Sequence, residues 1–83
     1  MVVVTLYHAP GCHLCERAQE TLGRARDELG FELVEVDISD DAELEREYRE
    51  WLPVVEIGCE RAFVYHVDPI ALRKKLARIA ARD

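Results

Sequence analysis

The stretch Ala9-Pro10-Gly11-Cys12-His13-Leu14-Cys15 decides how the rest of the chain is read. Before it lies the apolar, β-branched run Val2-Val3-Val4-Thr5-Leu6-Tyr7, and after it apolar residues recur in steps of three and four. A strand pattern therefore stops, and a helix pattern starts, at two cysteines separated by two residues. A thiol at a helix N-terminus faces unpaired backbone N–H groups and the positive end of the helix dipole. Both favour the thiolate, which is the nucleophile in disulfide exchange. The position of the pair, more than its spacing, points to redox chemistry.

Outward from the pair, the opening strand lacks clean alternation, as a strand buried on both faces does, and is placed centrally in a helix-covered sheet. Pro10-Gly11 breaks it. Leu14, Cys15, Ala18, Leu22, Ala25 and Leu29 then mark one face of a helix. Glu16, Arg17, Glu20, Arg24 and Glu28 occupy the other face, with Glu20 and Arg24 spaced for an i,i+4 pair, and Gly30 suits a left-handed cap. Phe31 to Asp37 reads as a second strand, parallel to the first through a right-handed crossover. Ser39-Asp40-Asp41-Ala42-Glu43 has the chemistry of a helix start, and that helix runs to about Trp51, packing through Leu44, Tyr48 and Trp51. Val54 to Ile57 and Arg61 to Tyr65 form an antiparallel hairpin about a turn at Gly58 to Glu60. Asp68-Pro69 opens a last helix, to about Arg82, with Ile70, Leu72, Leu76 and Ile79 inward. Arg73, Lys74, Lys75, Arg78 and Arg82 crowd its C-terminal half, where cations complement the dipole. The order β-α-β-α-β-β-α predicts an α/β fold: a four-stranded mixed sheet with three helices flanking both faces.

Eighty-three residues make a single domain, spanning positions 1–83, with a small core. With 49% of residues apolar and 34% charged, the composition is globular and not disordered. Asp and Glu outnumber Lys and Arg 17 to 11, a net charge of −6, which argues against nucleic acid as a partner. Met1 to Leu6 is too short for a secretory or membrane segment, and no basic stretch precedes it. A cytoplasmic protein with reduced thiols and no membrane partner is the expectation. Three cysteines cannot close a disulfide framework; two near each other and one apart is the count of a redox pair and a bystander.

Cys12 is the candidate nucleophile, lifted towards solvent by Pro10-Gly11, and Cys15, one turn on and inward, is the candidate resolving thiol. His13, when protonated, would add positive charge beside Cys12; its alternative is an exposed helix residue without consequence. His8 ends the first strand, and is read as a packing or hydrogen-bonding residue of the sheet end, the alternative being a place close to the thiols. Pro53 either ends a helix or sits in a cis turn that presents the Leu52 backbone to an extended substrate, and composition does not choose between the two. Cys59, in the hairpin turn, is read as the bystander, since a zinc site would call for a second close pair.

With these residues in view, the chain resembles the glutaredoxins, and in particular short glutaredoxin-like thioredoxin-fold proteins with the opening strand-Tyr-x-x-Pro-Gly-Cys-x-Leu-Cys. The resemblance spans the opening strand, Pro10 to Cys15, Leu52-Pro53, the hairpin and the helix after Asp68. It implies a thioredoxin-like fold, thiol–disulfide oxidoreductase activity, Cys12 and Cys15 as the active pair, and a cis proline at Pro53. It implies no resident cofactor; glutathione enters as a co-substrate, with Asp68 as a contact to its amine or simply as a helix cap. The implied partners are a protein or small-thiol disulfide and an electron donor, either glutathione or a thioredoxin-type reductase, acting on a monomer. The chain departs from glutaredoxins at Ala9, where they carry a basic residue, and at Tyr65-His66-Val67, where they carry Gly-Gly ahead of the acid. The fold and the cysteine pair transfer; the substrate does not. Two other classes of function remain beside the enzyme: a module holding zinc or a bridged iron–sulfur cluster at Cys12 and Cys15, and a binding protein that keeps the scaffold without turnover.

Overall fold

A computed structural model describes the backbone of residues 2–82 and the side chains of residues 2–79. Four strands, β1 (Val3–His8), β2 (Glu32–Asp37), β3 (Val54–Ile57) and β4 (Glu60–Val64), form one sheet in the order β2-β1-β3-β4. β1 pairs parallel with β2 and antiparallel with β3, and β3 pairs antiparallel with β4. Helices α1 (His13–Leu29), α2 (Ala42–Tyr48) and α3 (Pro69–Arg82) complete the expected order.

Strand alternation divides the core in two. Val4 and Leu6 of β1, with Val55 and Ile57 of β3, pack with Ala18, Leu22 and Ala25 of α1 and Leu72 and Leu76 of α3. Tyr7 and Val54, next in line on those strands and of opposite facing, pack on the other side with Ile38, Leu44 and Tyr48. Burial of each large side chain contributes about 1.5–3 kcal/mol, so the larger cluster carries most of the stability. β1 is central, as its unalternating sequence implied, because α1 and α3 cover one face and α2 covers part of the other.

Several boundaries and facings differ from the sequence reading. The segment from Ser39 to Trp51 is not one helix: a 3-10 turn at Ile38–Asp40 precedes α2, and a second follows at Arg49–Trp51. The cap of α2 is Asp41, whose carboxylate accepts from the N–H groups of Glu43 and Leu44; Asp37 takes the Ser39 N–H and hydroxyl instead. These short side-chain bonds compete with a continuous helix. Leu14, Leu29, Trp51 and Ile70, all expected inward, are between 46% and 66% exposed. The first two lie in the first and last turns of α1, and Ile70 lies in the first turn of α3. Glu20 and Arg24 do not pair; Glu28 reaches Arg73 of α3 instead. Arg82 lies, for its side chain, outside the described residues.

Sheet register brings the functional stretches to one end. His8, the last residue of β1, stands opposite Asp37, and Tyr7 opposite Val54, which in turn faces Val64. One step further along the ladders lie Pro53 and Tyr65, joined by a 3.0 Å bond from the Tyr65 N–H to the Pro53 carbonyl. The redox loop leaves β1 at this same end. The Leu52–Pro53 peptide bond is cis, and Pro53 is fully buried.

Candidate redox site at the start of α1

Gly11 turns the chain between β1 and α1 with φ of +77°, a conformation a side chain would resist, although nothing would touch a Cβ there. Cys12 follows as the N-cap of α1, in extended backbone (φ −93°, ψ 104°). Serine, threonine, aspartate and asparagine favour this position because an acceptor atom can meet the free N–H groups. Here that acceptor is sulfur: the Cys15 N–H donates to Cys12 Sγ at 3.2 Å. Cys12 is half-buried, whereas Cys15, facing the α1–sheet core, is 2% exposed. The two are joined by a disulfide with Cα atoms 5.2 Å apart, within the span a disulfide accepts.

His13 occupies the first turn of α1 with its side chain 92% exposed, and its Nδ1 lies 3.5 Å from Glu16 Oε2. Leu52 is half-buried in extended backbone (φ −66°, ψ 143°), packed on the cluster of Ile38, Tyr48 and Val54 that also holds Ala9. The redox loop and the Leu52-Pro53 turn therefore share one base. Asp68 caps α3, its Oδ1 accepting from Ile70 at 2.9 Å and Ala71 at 3.5 Å. Asp68 is exposed. Asp37, beside His8, has its carboxyl held below the usual range, chiefly by the Ser39 hydroxyl and then by the Ser39 N–H.

Cys59 is exposed in the β3–β4 turn, a strand's length (roughly 15 Å) from Pro53. Among the described residues, no three His, Cys, Asp or Glu side chains converge to hold a metal ion.

Two features escaped the sequence. On the α2 face of the sheet, Tyr7 and Tyr48 stack with ring centroids 4.4 Å apart, and both hydroxyls reach the Glu56 carboxylate at 3.4 Å. Burial first, then the Glu56 charge, pushes the Tyr7 phenol up to about 12. This stack fastens the end of α2, from which the turn to Leu52-Pro53 departs. The second feature is Tyr65, which has φ of +71°, the only positive φ at a non-glycine among the described residues. Left-handed backbone costs an L-residue about 1–2 kcal/mol. The offsetting bonds are visible: the Tyr65 N–H to Pro53, and the Tyr65 hydroxyl to the Glu50 carbonyl at 3.0 Å. Its ring lies 6.2 Å from that of Trp51. No propensity marks a tyrosine as left-handed; the only sequence signal was its place where glutaredoxins carry glycine.

Comparison with known proteins agrees with this geometry. A family model described as a glutaredoxin-like domain (DUF836) matches residues 3–77. The chain belongs to this glutaredoxin-like family. An uncharacterized Mycobacterium tuberculosis protein, Rv0508, is 32% identical to the glutaredoxin-like chain over 80 residues, covering 90% of it and 82% of the relative. The X-ray structure of the X. campestris protein XcR50 superposes with a TM-score of 0.75 at 36% identity, covering 90% and 96% of the two chains. Oxidized mitochondrial thioredoxin 3 of Saccharomyces cerevisiae superposes with a TM-score of 0.71 at 18% identity, covering 93% and 77%, a likeness of fold alone. The glutaredoxin-like protein thus has a thioredoxin-like fold with a cysteine pair at the mouth of its first helix, an arrangement that suggests a redox role.

Proposed function

We propose that this glutaredoxin-like protein is a dithiol oxidoreductase acting on disulfides. In the reduced protein, Cys12 thiolate attacks one sulfur of a substrate disulfide; the substrate's S–S bond breaks and its other sulfur leaves as a thiolate that takes up a proton. Cys15, losing its proton to solvent, then attacks Cys12 Sγ and expels the second substrate thiol. The substrate gains two electrons and the protein holds the Cys12–Cys15 disulfide. Glutathione or a thioredoxin-type reductase returns the two electrons. Leu52, extended beside the redox loop, offers main-chain groups to an extended substrate, as in strand addition. Asp68 is a further contact for a substrate amine, His13 a modest electrostatic aid, and the protein works as a cytoplasmic monomer.

The observation that supports this reading best is the asymmetry of the pair. Cys12 is half-buried at the helix cap with an N–H directed at its sulfur, and Cys15 is sealed beneath it within bonding reach. An attacking thiol needs access and an ionised state; a resolving thiol needs only proximity.

The test is reduction of insulin disulfides with dithiothreitol as donor. Cys12→Ser is expected to abolish it, and Cys15→Ser to trap a mixed disulfide on Cys12 that mass spectrometry identifies. Full activity in Cys12→Ser would overturn the assignment of the nucleophile. A wild-type protein inert towards every disulfide, with Cys12–Cys15 unable to cycle, would favour a binding role instead.

A further inference from the structure

The left-handed Tyr65 is an outlier that demands a reason, because glycine would sit there without strain. Its bonds explain how the strain is tolerated, not what it accomplishes. Tyr65 is nonetheless 47% exposed, and Trp51, whose ring lies against it, is 46% exposed. Leu14, between the two cysteines, is 46% exposed. Leu14 and Tyr65 both line a groove of about 340 Å³ between α1 and the segment leading into α3, with Ala18, Thr21 and Val67 along its floor. Leu14, beside Cys15 in the chain, thus shares a groove with Tyr65, with Arg17, Glu20 and His66 at its polar side, and Trp51 adjoins Tyr65.

The Tyr65 hydroxyl is tied to the Glu50 carbonyl and its N–H to Pro53, at either end of the Glu50–Pro53 segment. The ring is consequently held outward, unable to fold onto the core and cover its own apolar surface. An exposed tyrosine ring held in place, with a second exposed ring against it and in one groove with Leu14, forms a preorganised contact for a side chain. A main chain paired with extended Leu52 would carry the residues flanking its cysteine past this contact.

Resting on the oxidoreductase reading, we propose that Tyr65, with Trp51, is a specificity-determining residue. It selects disulfides carried on extended polypeptide with an apolar or aromatic side chain next to the cysteine, over small-molecule disulfides.

The experiment compares two symmetric disulfide dimers of a short unfolded peptide, with the cysteine flanked by leucine or by serine, against bis(2-hydroxyethyl) disulfide. Wild type is expected to favour the leucine-flanked peptide. Tyr65→Gly, which relieves the backbone and keeps the fold, is expected to lower the ratio of kcat/KM for that peptide over the small disulfide about tenfold, the usual loss at a central aromatic contact. Trp51→Ala should shift the ratio the same way. Leu29→Ser, an exposed apolar position at the far end of α1, should leave it unchanged. An active wild type whose ratio does not respond to Tyr65→Gly, or which ignores the flanking residue, overturns this inference and leaves the oxidoreductase reading standing. A wild type that turns over none of the three disulfides overturns both.

Discussion

The main-chain N–H of Cys15 is directed at Sγ of Cys12 from 3.2 Å, across the first turn of α1. A helix start usually offers its free N–H groups to an oxygen; here a sulfur receives one, and a sulfur bearing negative charge receives it best. Once the disulfide is reduced, the same turn is expected to favour the ionised form of Cys12.

In the reduced protein, Cys12 is therefore expected to react with iodoacetamide at mildly acidic pH several times faster than Cys59, read by mass spectrometry of each cysteine peptide. Cys59 is the more exposed of the two, so access cannot account for that order. Equal rates would remove the helix-cap argument.

His13 is expected to matter less than its place between the cysteines implies. Its imidazole is almost wholly in water and lies near Glu16, where charge effects are screened. His13→Ala should slow Cys12 alkylation by no more than about fivefold, since exposed ion pairs contribute about 1 kcal/mol or less. A larger loss would give His13 a direct part in activating Cys12.

Asp68 separates a cap from a ligand. Asp68→Ala should lower stability by about 1 kcal/mol, the usual loss of an N-cap, measured by urea unfolding. Asp68→Asn preserves the cap and should restore most of that stability. If turnover falls in both variants, the carboxylate contacts substrate; if it recovers with asparagine, Asp68 serves α3 alone.

The Tyr7 phenol predicts an alkaline limit. Its folded value, about 12, lies above the ordinary tyrosine value of about 10, so the neutral phenol is favoured by folding. The stability this contributes is whole below pH 10 and is lost as pH rises through 12. In Glu56→Gln, the most alkaline tyrosinate transition, followed by absorbance, should move to lower pH without reaching the ordinary value, because burial persists. An unmoved transition would mean Glu56 has no part in it.

Much of the fold was legible in the chain because it is written locally. Gly30 caps α1 at φ +76°, Asp68-Pro69 opens α3, and Ala18, Leu22 and Ala25 face inward, all from spacing and turn chemistry. Trp51 and Ile70 were misplaced because periodicity tells which residues share a helix face, and not how far the sheet beneath that face extends.

By itself, the sequence determined that two cysteines stand where a strand gives way to a helix, since backbone N–H groups and helix periodicity act over a few neighbouring residues. Only the tertiary structure decided what surrounds them. The row of His8, Pro53 and Tyr65, the shared base under Ala9 and Leu52, and the paired rings of Trp51 and Tyr65 join residues from about a dozen to more than forty positions apart. Such meetings depend on strand register and on bonds between distant segments, and neither has a local signature.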